Sequence, residues 1–202
     1  HVSPTDLVAG ADLSGADLSN AYINYAALHK ATLSDATLHR ASLYSAEFRD
    51  AHLQNTDMSH ADCLKSDFTG ADVSDAKLNN TDLSNATLVR SDLSGADLSG
   101  ADLSEAVVSD ADLSGADLSE ADLSGVDLSG ADLSDATLSN AVIKDADISS
   151  ATVTDEQLSD ALLEYEIPND GSVSAEDITN DASLRYKDLS EAELRNATLS
   201  NS

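Results

Sequence analysis

Four sets of residues in this chain are of types that could do chemistry. Beyond the first residue four histidines, His29, His39, His52 and His60, sit in its first half, and His39 and His60 with Asp57 come nearest to a ligand set. A zinc-type centre needs three or four convergent donors. Two imidazoles and one carboxylate fall short, so no metal site and no cofactor is expected. Serine is abundant, but it recurs at a fixed place in a repeating pattern, whereas a hydrolytic nucleophile is one serine set apart and served by one base. Cys63, the single cysteine, cannot form an internal disulfide and falls at a core position of the same pattern, where a thiol acts as a small hydrophobe. Exposed tyrosine is enriched at protein interfaces, which makes Tyr22, Tyr25 and Tyr44 the candidate contact patch. No catalytic residue emerges, and the chain reads as a non-enzyme.

What positions these groups is a period of five. From Leu13 to Val153 every fifth residue is apolar, 29 of 29, and the residue two before it is Ala at 24 of 29 places. The exceptions, Thr56, Ser66, Thr81, Ser91 and Val126, are all small. Five residues turn an α-helix by about 140° beyond a full revolution, so this spacing builds no helical stripe. In an extended chain, by contrast, positions two apart point the same way. Each unit therefore holds one short inward-facing pair and then a corner. Aromatics are only 3% of the chain, so the core must be narrow, filled by Leu and Ala. Thr56, Ser66, Thr81 and Ser91 fall at nearly buried positions, and their hydroxyls are expected to bond backbone groups.

The corners agree with the core. Eight of the nine glycines lie two places after the central apolar residue, and Asn20, Asn55, Asn80, Asn85 and Asn140 share that place. Gly and Asn adopt turn dihedrals most readily. Pro4 and Pro168 both lie outside the array, as a ladder of backbone hydrogen bonds requires.

With the unit A-(D/N)-L-x-x, and with runs close to A-D-L-S-G at 96–100 and 111–130, the chain resembles the pentapeptide-repeat family over roughly residues 11–155. The resemblance implies an all-β fold, a right-handed four-sided parallel β-helix (a solenoid) of about 7–8 coils, each coil taking four units. On such a coil Phe48 and Phe68, twenty apart, would stack on one face. His39 and His60 would lie on adjacent coils near Asp57, and Tyr22, Tyr25 and Tyr44 would share one face of the first two coils. Asp72, Asp92, Asp112 and Asp132 would form one outward acidic column, and Asp62, Asp82, Asp102 and Asp122 a second.

Solenoid ends expose core and need caps. Residues 1–10 read as a partial N-terminal coil, with Val8 in register, and 11–154 as the array. After Thr154 the pattern changes. Thr154 and Gln157 have capping-box spacing, and Leu158, Ala161, Leu162 and Tyr165 follow at helical intervals. This favours a helix over 155–165, against two further degenerate units using Leu158 and Leu163. Residues 155–181 then form a helix-and-loop insertion or cap. The repeat resumes over 182–202 as one coil whose phase has slipped by one residue. One coil cannot bury its own core, so it stacks on the main rod, packs on another chain or continues beyond Ser202. Decoy members of the family dimerise through a C-terminal helical cap, which makes a homodimer through the C-terminal region a further expectation.

The net charge is −28, from 38 acids and 10 bases. Phosphate contacts need a basic surface, so direct nucleic-acid binding is excluded and anionic membranes are disfavoured. No signal peptide or apolar run long enough to span a bilayer is visible, and a cytoplasmic location is the expectation although the chain begins at His1. Between Ser91 and Ile143 there are twelve acids and no Lys or Arg. Two unit charges about 5 Å apart repel by roughly 0.8 kcal/mol in bulk water, and salt screens this. The acidic columns can therefore gather cations diffusely. They fit a rod-like scaffold or protein-interaction module with a surface adapted to high salt and an unidentified protein partner. The family supplies the alternative of a DNA-mimicking modulator of a type II topoisomerase (DNA gyrase). Acid on every face, not one, favours the first.

Overall fold

A computed structural model describes residues 7–161. The five-residue unit becomes one side of a square. The residue before each central Leu pairs in parallel with its counterpart twenty residues on, from Asp12↔Thr32 to Asp132↔Thr152. Face 1 begins at Asp12↔Thr32, face 2 at Asp17↔Thr37, face 3 at Tyr22↔Ser42 and face 4 at Ala27↔Glu47. Each side is a single bridged residue rather than a strand of several, because a corner arrives before the chain can extend further.

Three backbone bonds hold each unit to the next coil. In the first unit Leu13 N–H donates to Thr32 O at 2.7 Å, Thr32 N–H to Ala11 O at 2.8 Å and Gly15 N–H to Ser34 O at 2.9 Å. A fourth, Ala16 N–H to Leu13 O at 3.0 Å, closes the corner. That corner needs a left-handed residue, and every fifth residue from Gly10 to Ser150 has positive φ. Gly and Asn were the visible signal. Lys30, Arg40, Arg90, Glu105 and Glu120 adopt the same conformation, near φ 56–60°. The ladder bonds on either side overrule the local preference of these residues, at a cost of roughly 1–2 kcal/mol each.

Inside, Leu at the central position and Ala two before it fill the axis from Leu13 to Ile148. Phe48 and Phe68 stack with centroids 4.9 Å apart and planes 9° from parallel, as their twenty-residue spacing implies. The buried hydroxyls are satisfied in two ways. Thr56 and Thr81 reach back to Leu33 O and Met58 O of the preceding coil, at 3.0 and 2.9 Å. Ser66 and Ser91 bond the corner carbonyls of Cys63 and Leu88.

The helix expected over 155–165 is one turn, α1 (Asp155–Ser159). Its capping box is present: Gln157 N–H donates to Thr154 Oγ1, and Thr154 N–H donates to Gln157 Oε1. The ladder then recaptures the chain. Gln157 Nε2 donates to Leu133 O and Ala136 O at 2.7 and 2.8 Å, and Leu158 still enters the core at the position the repeat assigns it. Asn140 N–H meets Asp160 O, one residue later than the nineteen-residue step that Glu120 makes to Ser139 O. The helical turn and the degenerate unit thus coexist, and one extra residue is absorbed here. Residues 1–6 of the N-terminal cap, the rest of the 155–181 insertion, the resumed repeat over 182–202 and any dimer contact made by them lie outside the described residues.

Candidate functional site

The outward carboxylates have a local job. All sixteen Asp residues that precede a central apolar residue between Asp12 and Asp147 accept the backbone N–H two residues on, at 2.8–3.3 Å. The corner serine often adds its hydroxyl to the same Oδ1, as Ser94 does to Asp92 at 2.6 Å. This N–H lies just before the left-handed residue and has no partner in the ladder, so the carboxylate supplies one. The signal for this clasp is legible as D-L-S, in which the same aspartates also supply the surface charge.

The clasp tunes the acids. Bonds from the Ser14 hydroxyl and N–H hold Asp12 below the ordinary carboxylate range, and Ser19 and Ser134 do the same for Asp17 and Asp132. At Asp67 burial pushes upward, yet Thr69 and the Arg49 guanidinium, whose Nε lies 2.6 Å away, bring it below that range.

Stacking of the clasps makes the columns. Asp72, Asp92, Asp112 and Asp132 are consecutive bridge partners on face 1, and Asp62, Asp82, Asp102 and Asp122 on face 3. Asp72 also takes a bond from Gln54 Nε2, which the sequence did not suggest. Face 2 carries Asp97↔Asp117 and face 4 Asp127↔Asp147.

The tyrosines gather at the start of face 3. Tyr22 is 89% exposed and Tyr25 70%, while Tyr44 is half-buried. Tyr25 and Tyr44 meet edge to face, with centroids 5.4 Å apart. Ser42 stands where a clasping Asp would be, and Asn24 of the preceding coil replaces it. Asn24 Oδ1 accepts Tyr44 N–H at 2.9 Å and the Ser42 hydroxyl at 2.8 Å.

His39 and His60 meet edge to face at 5.6 Å, and His39 Nδ1 is 2.8 Å from Ser59 Oγ. Ser59 Oγ donates to Asp57 Oδ1 at 2.5 Å. All three residue types of a hydrolytic triad are in contact, but in the wrong order. The serine proton is directed at the carboxylate, so the imidazole cannot act as its base. Burial raises Asp57, but the Ser59 bonds, with Lys77 and His39 nearby, leave it below the ordinary range. His29 pairs with Glu47 at 2.8 Å, and His52 stands in the face 1 ladder between Thr32 and Asp72. Among the described residues no three His, Cys, Asp or Glu side chains are placed to hold one metal ion. Cys63 is fully buried, and burial with Asp62 and Asp82 alongside pushes its thiol far up. An open cleft of about 480 Å³ lies between α1 and the end of face 1, walled by Asp135, Ala136, Val153 and Glu156. None of the described helices is long and apolar enough to cross a membrane.

The family model for pentapeptide repeats matches residues 11–50, 46–85, 81–120 and 116–155. No curated protein sequence matches the chain. Among solved structures it is similar to HetL, a pentapeptide repeat protein involved in heterocyst differentiation regulation from Nostoc sp. strain PCC 7120. The identity is 28%, the TM-score 0.42, and the match covers 79% of this chain and 86% of HetL. It is similar also to full-length QnrB1, a plasmid-mediated fluoroquinolone resistance protein, at 17% identity and TM-score 0.47, over 75% and 95% of the two chains. A third likeness is to a pentapeptide repeat protein of the Arabidopsis thaliana thylakoid lumen, at 28% identity and TM-score 0.28, over 54% and 72%.

Proposed function

Since the chain belongs to the pentapeptide-repeat family, whose fold is the right-handed quadrilateral β-helix, we propose that it is a non-enzymatic, rigid acidic rod of seven to eight coils that serves as a scaffold or protein-interaction module in high salt. One observation carries this reading: between Ser91 and Ile143 every face carries acid (Asp92 and Asp112, Asp97 and Asp117, Asp102 and Asp122, and Asp127), with no Lys or Arg among them. A decoy for one enzyme needs its charge on the surface that meets that enzyme. Charge all round holds water and counter-ions in every direction. Each clasped carboxylate spends one oxygen on its own corner and keeps its charge at the surface, so the fold supplies this charge without a separate surface layer.

The second reading, a DNA-mimicking modulator of DNA gyrase, draws on the two long columns of faces 1 and 3, which put a charge about every 4.8 Å along a rod. Two measurements separate them. Melting in rising KCl should show strong stabilisation of a salt-adapted rod, whereas a flat response would sink that reading. Purified gyrase in a supercoiling assay should be unaffected by a scaffold, and stoichiometric inhibition or protection would favour the decoy.

A further inference from the structure

We propose that the tyrosine end of face 3 is a docking surface for an extended, arginine- or lysine-bearing segment of a partner protein, which runs from the Tyr22–Tyr25–Tyr44 cluster along Asp62 and Asp82. This rests on reading the rod as an interaction module and names the partner class.

Tyr22 and Tyr25 are the most exposed large hydrophobic side chains among the described residues, and neither belongs to the core. Tyr25 stands at a left-handed corner with φ 60°, where a bulky side chain is disfavoured and Gly or Asn is better suited. Asn24 spends its side-chain oxygen on Ser42 and on the backbone of Tyr44, which holds Tyr44 edge-on to Tyr25 before anything binds. A pre-set pair of electron-rich rings suits a guanidinium or ammonium group.

Charge complementarity identifies the rest of the occupant. The column below Tyr22 continues as Ser42, Asp62, Asp82, Asp102 and Asp122. Arg40, at the corner before Ser42, and Lys65, at the corner after Asp62, flank the upper part of this face, and from Asp82 to Asp122 its units carry no Lys or Arg. An anionic or nucleic-acid ligand would meet only repulsion here. A basic strand laid along the rod meets aromatic faces first and then a row of carboxylates. The aromatic end matters most in salt: at about 1 M the Debye length is near 3 Å, so carboxylates alone cannot hold a partner, while ring contacts persist.

The test uses the full chain and a labelled dodecapeptide of alternating Arg and Ser, with a Gln-for-Arg peptide as control, read by fluorescence anisotropy at 0.15 M and 1 M KCl. Tyr25→Asn with Tyr44→Ser should weaken binding at least tenfold at both salts, and Asn at 25 suits the left-handed corner. Tyr22→Ser alone, which touches no core residue, should weaken it about threefold. Asp62→Asn with Asp82→Asn should weaken it severalfold at low salt, while Asp92→Asn with Asp112→Asn on face 1 changes it less than twofold. Equal losses from the face 1 and face 3 pairs would mean diffuse attraction and overturn the assignment. So would unchanged binding by the tyrosine variants, equal binding of the Gln peptide, or no binding at all. None of these results touches the scaffold reading, which stands or falls on the salt and supercoiling measurements.

Discussion

The carboxylate of Asp75 lies over Gly95, its Oδ1 2.7 Å from the point a Cβ on that glycine would occupy. Corner acids lean along the rod in this way wherever the next coil offers a glycine: Asp50 over Gly70, Glu105 over Gly125 and Asp110 over Gly130. Gly115 follows another glycine and meets open space. The pair Gly95 and Gly115 therefore separates two costs. Gly115→Ala should lose about 1 kcal/mol to its left-handed backbone alone. Gly95→Ala should lose more, and adding Asp75→Ala should return it to the Gly115→Ala value. Urea unfolding of the double-mutant cycle measures the coupling; a value of zero would contradict the contact.

The clasp predicts opposite signs for two changes at one residue. Asp92→Ala removes the acceptor of Ser94 N–H and should cost about 1 kcal/mol. Asp92→Asn keeps an acceptor oxygen and removes a charge between Asp72 and Asp112, so it should stabilise at low salt. That gain should shrink toward 1 M KCl as screening replaces it. Thermal melts of both variants across a salt series provide the check.

For pH, the carboxyls of Asp12, Asp17 and Asp132 should titrate below the ordinary value of 3.8 by carbon-detected NMR, held down by their serine partners. A folded-state value below the unfolded one stabilises at pH above the unfolded value, and this is lost as pH falls through the folded value. Ser14→Ala should move Asp12 back toward 3.8 and flatten its share of the acid-side loss. An Asp12 titration unchanged by that substitution would remove the serine as its cause.

The inward half of this molecule was legible almost residue by residue. Leu and Ala answer to volume, which repeats every five residues, and the small exceptions such as Thr56 add a hydroxyl that finds a backbone carbonyl. The outward half was only partly legible, because one letter carried two duties. Asp92 is both a corner clasp and a surface charge, and a sequence shows the charge first. The contact of His39 with Ser59, and the use of Asn24 in place of an Asp at 42, arise between coils, where spacing places residues but not which atoms meet. The helix was half legible: the capping box at Thr154 and Gln157 starts it, but the pull of the ladder on Asp160 ends it, and that pull is a tertiary force.

Cys63 gives a kinetic readout of the core. Burial and the neighbouring Asp62 and Asp82 keep its thiol protonated, so it should resist a disulfide reagent at pH 8 while the rod is folded. Labelling should track the unfolding rate, and fast labelling of the native chain would show that the coil around Cys63 opens locally.

At the other end, Gln157→Ala should remove the cap on Leu133 O and Ala136 O together with the helix start, costing about 1–2 kcal/mol. Amide exchange should quicken around Asn140 and Val142 and stay unchanged around Leu33. Uniform acceleration along the rod would show instead that the coils unfold as one unit.

The fixed offset from Asp12↔Thr32 to Asp132↔Thr152 also bears on heredity. Duplicating or excising twenty codons within the array leaves every remaining rung with a partner of the same kind, so unequal recombination meets little structural penalty. The array is then open to change one coil at a time, and Gln157 Nε2, which bonds only backbone carbonyls of the coil before it, can follow any coil.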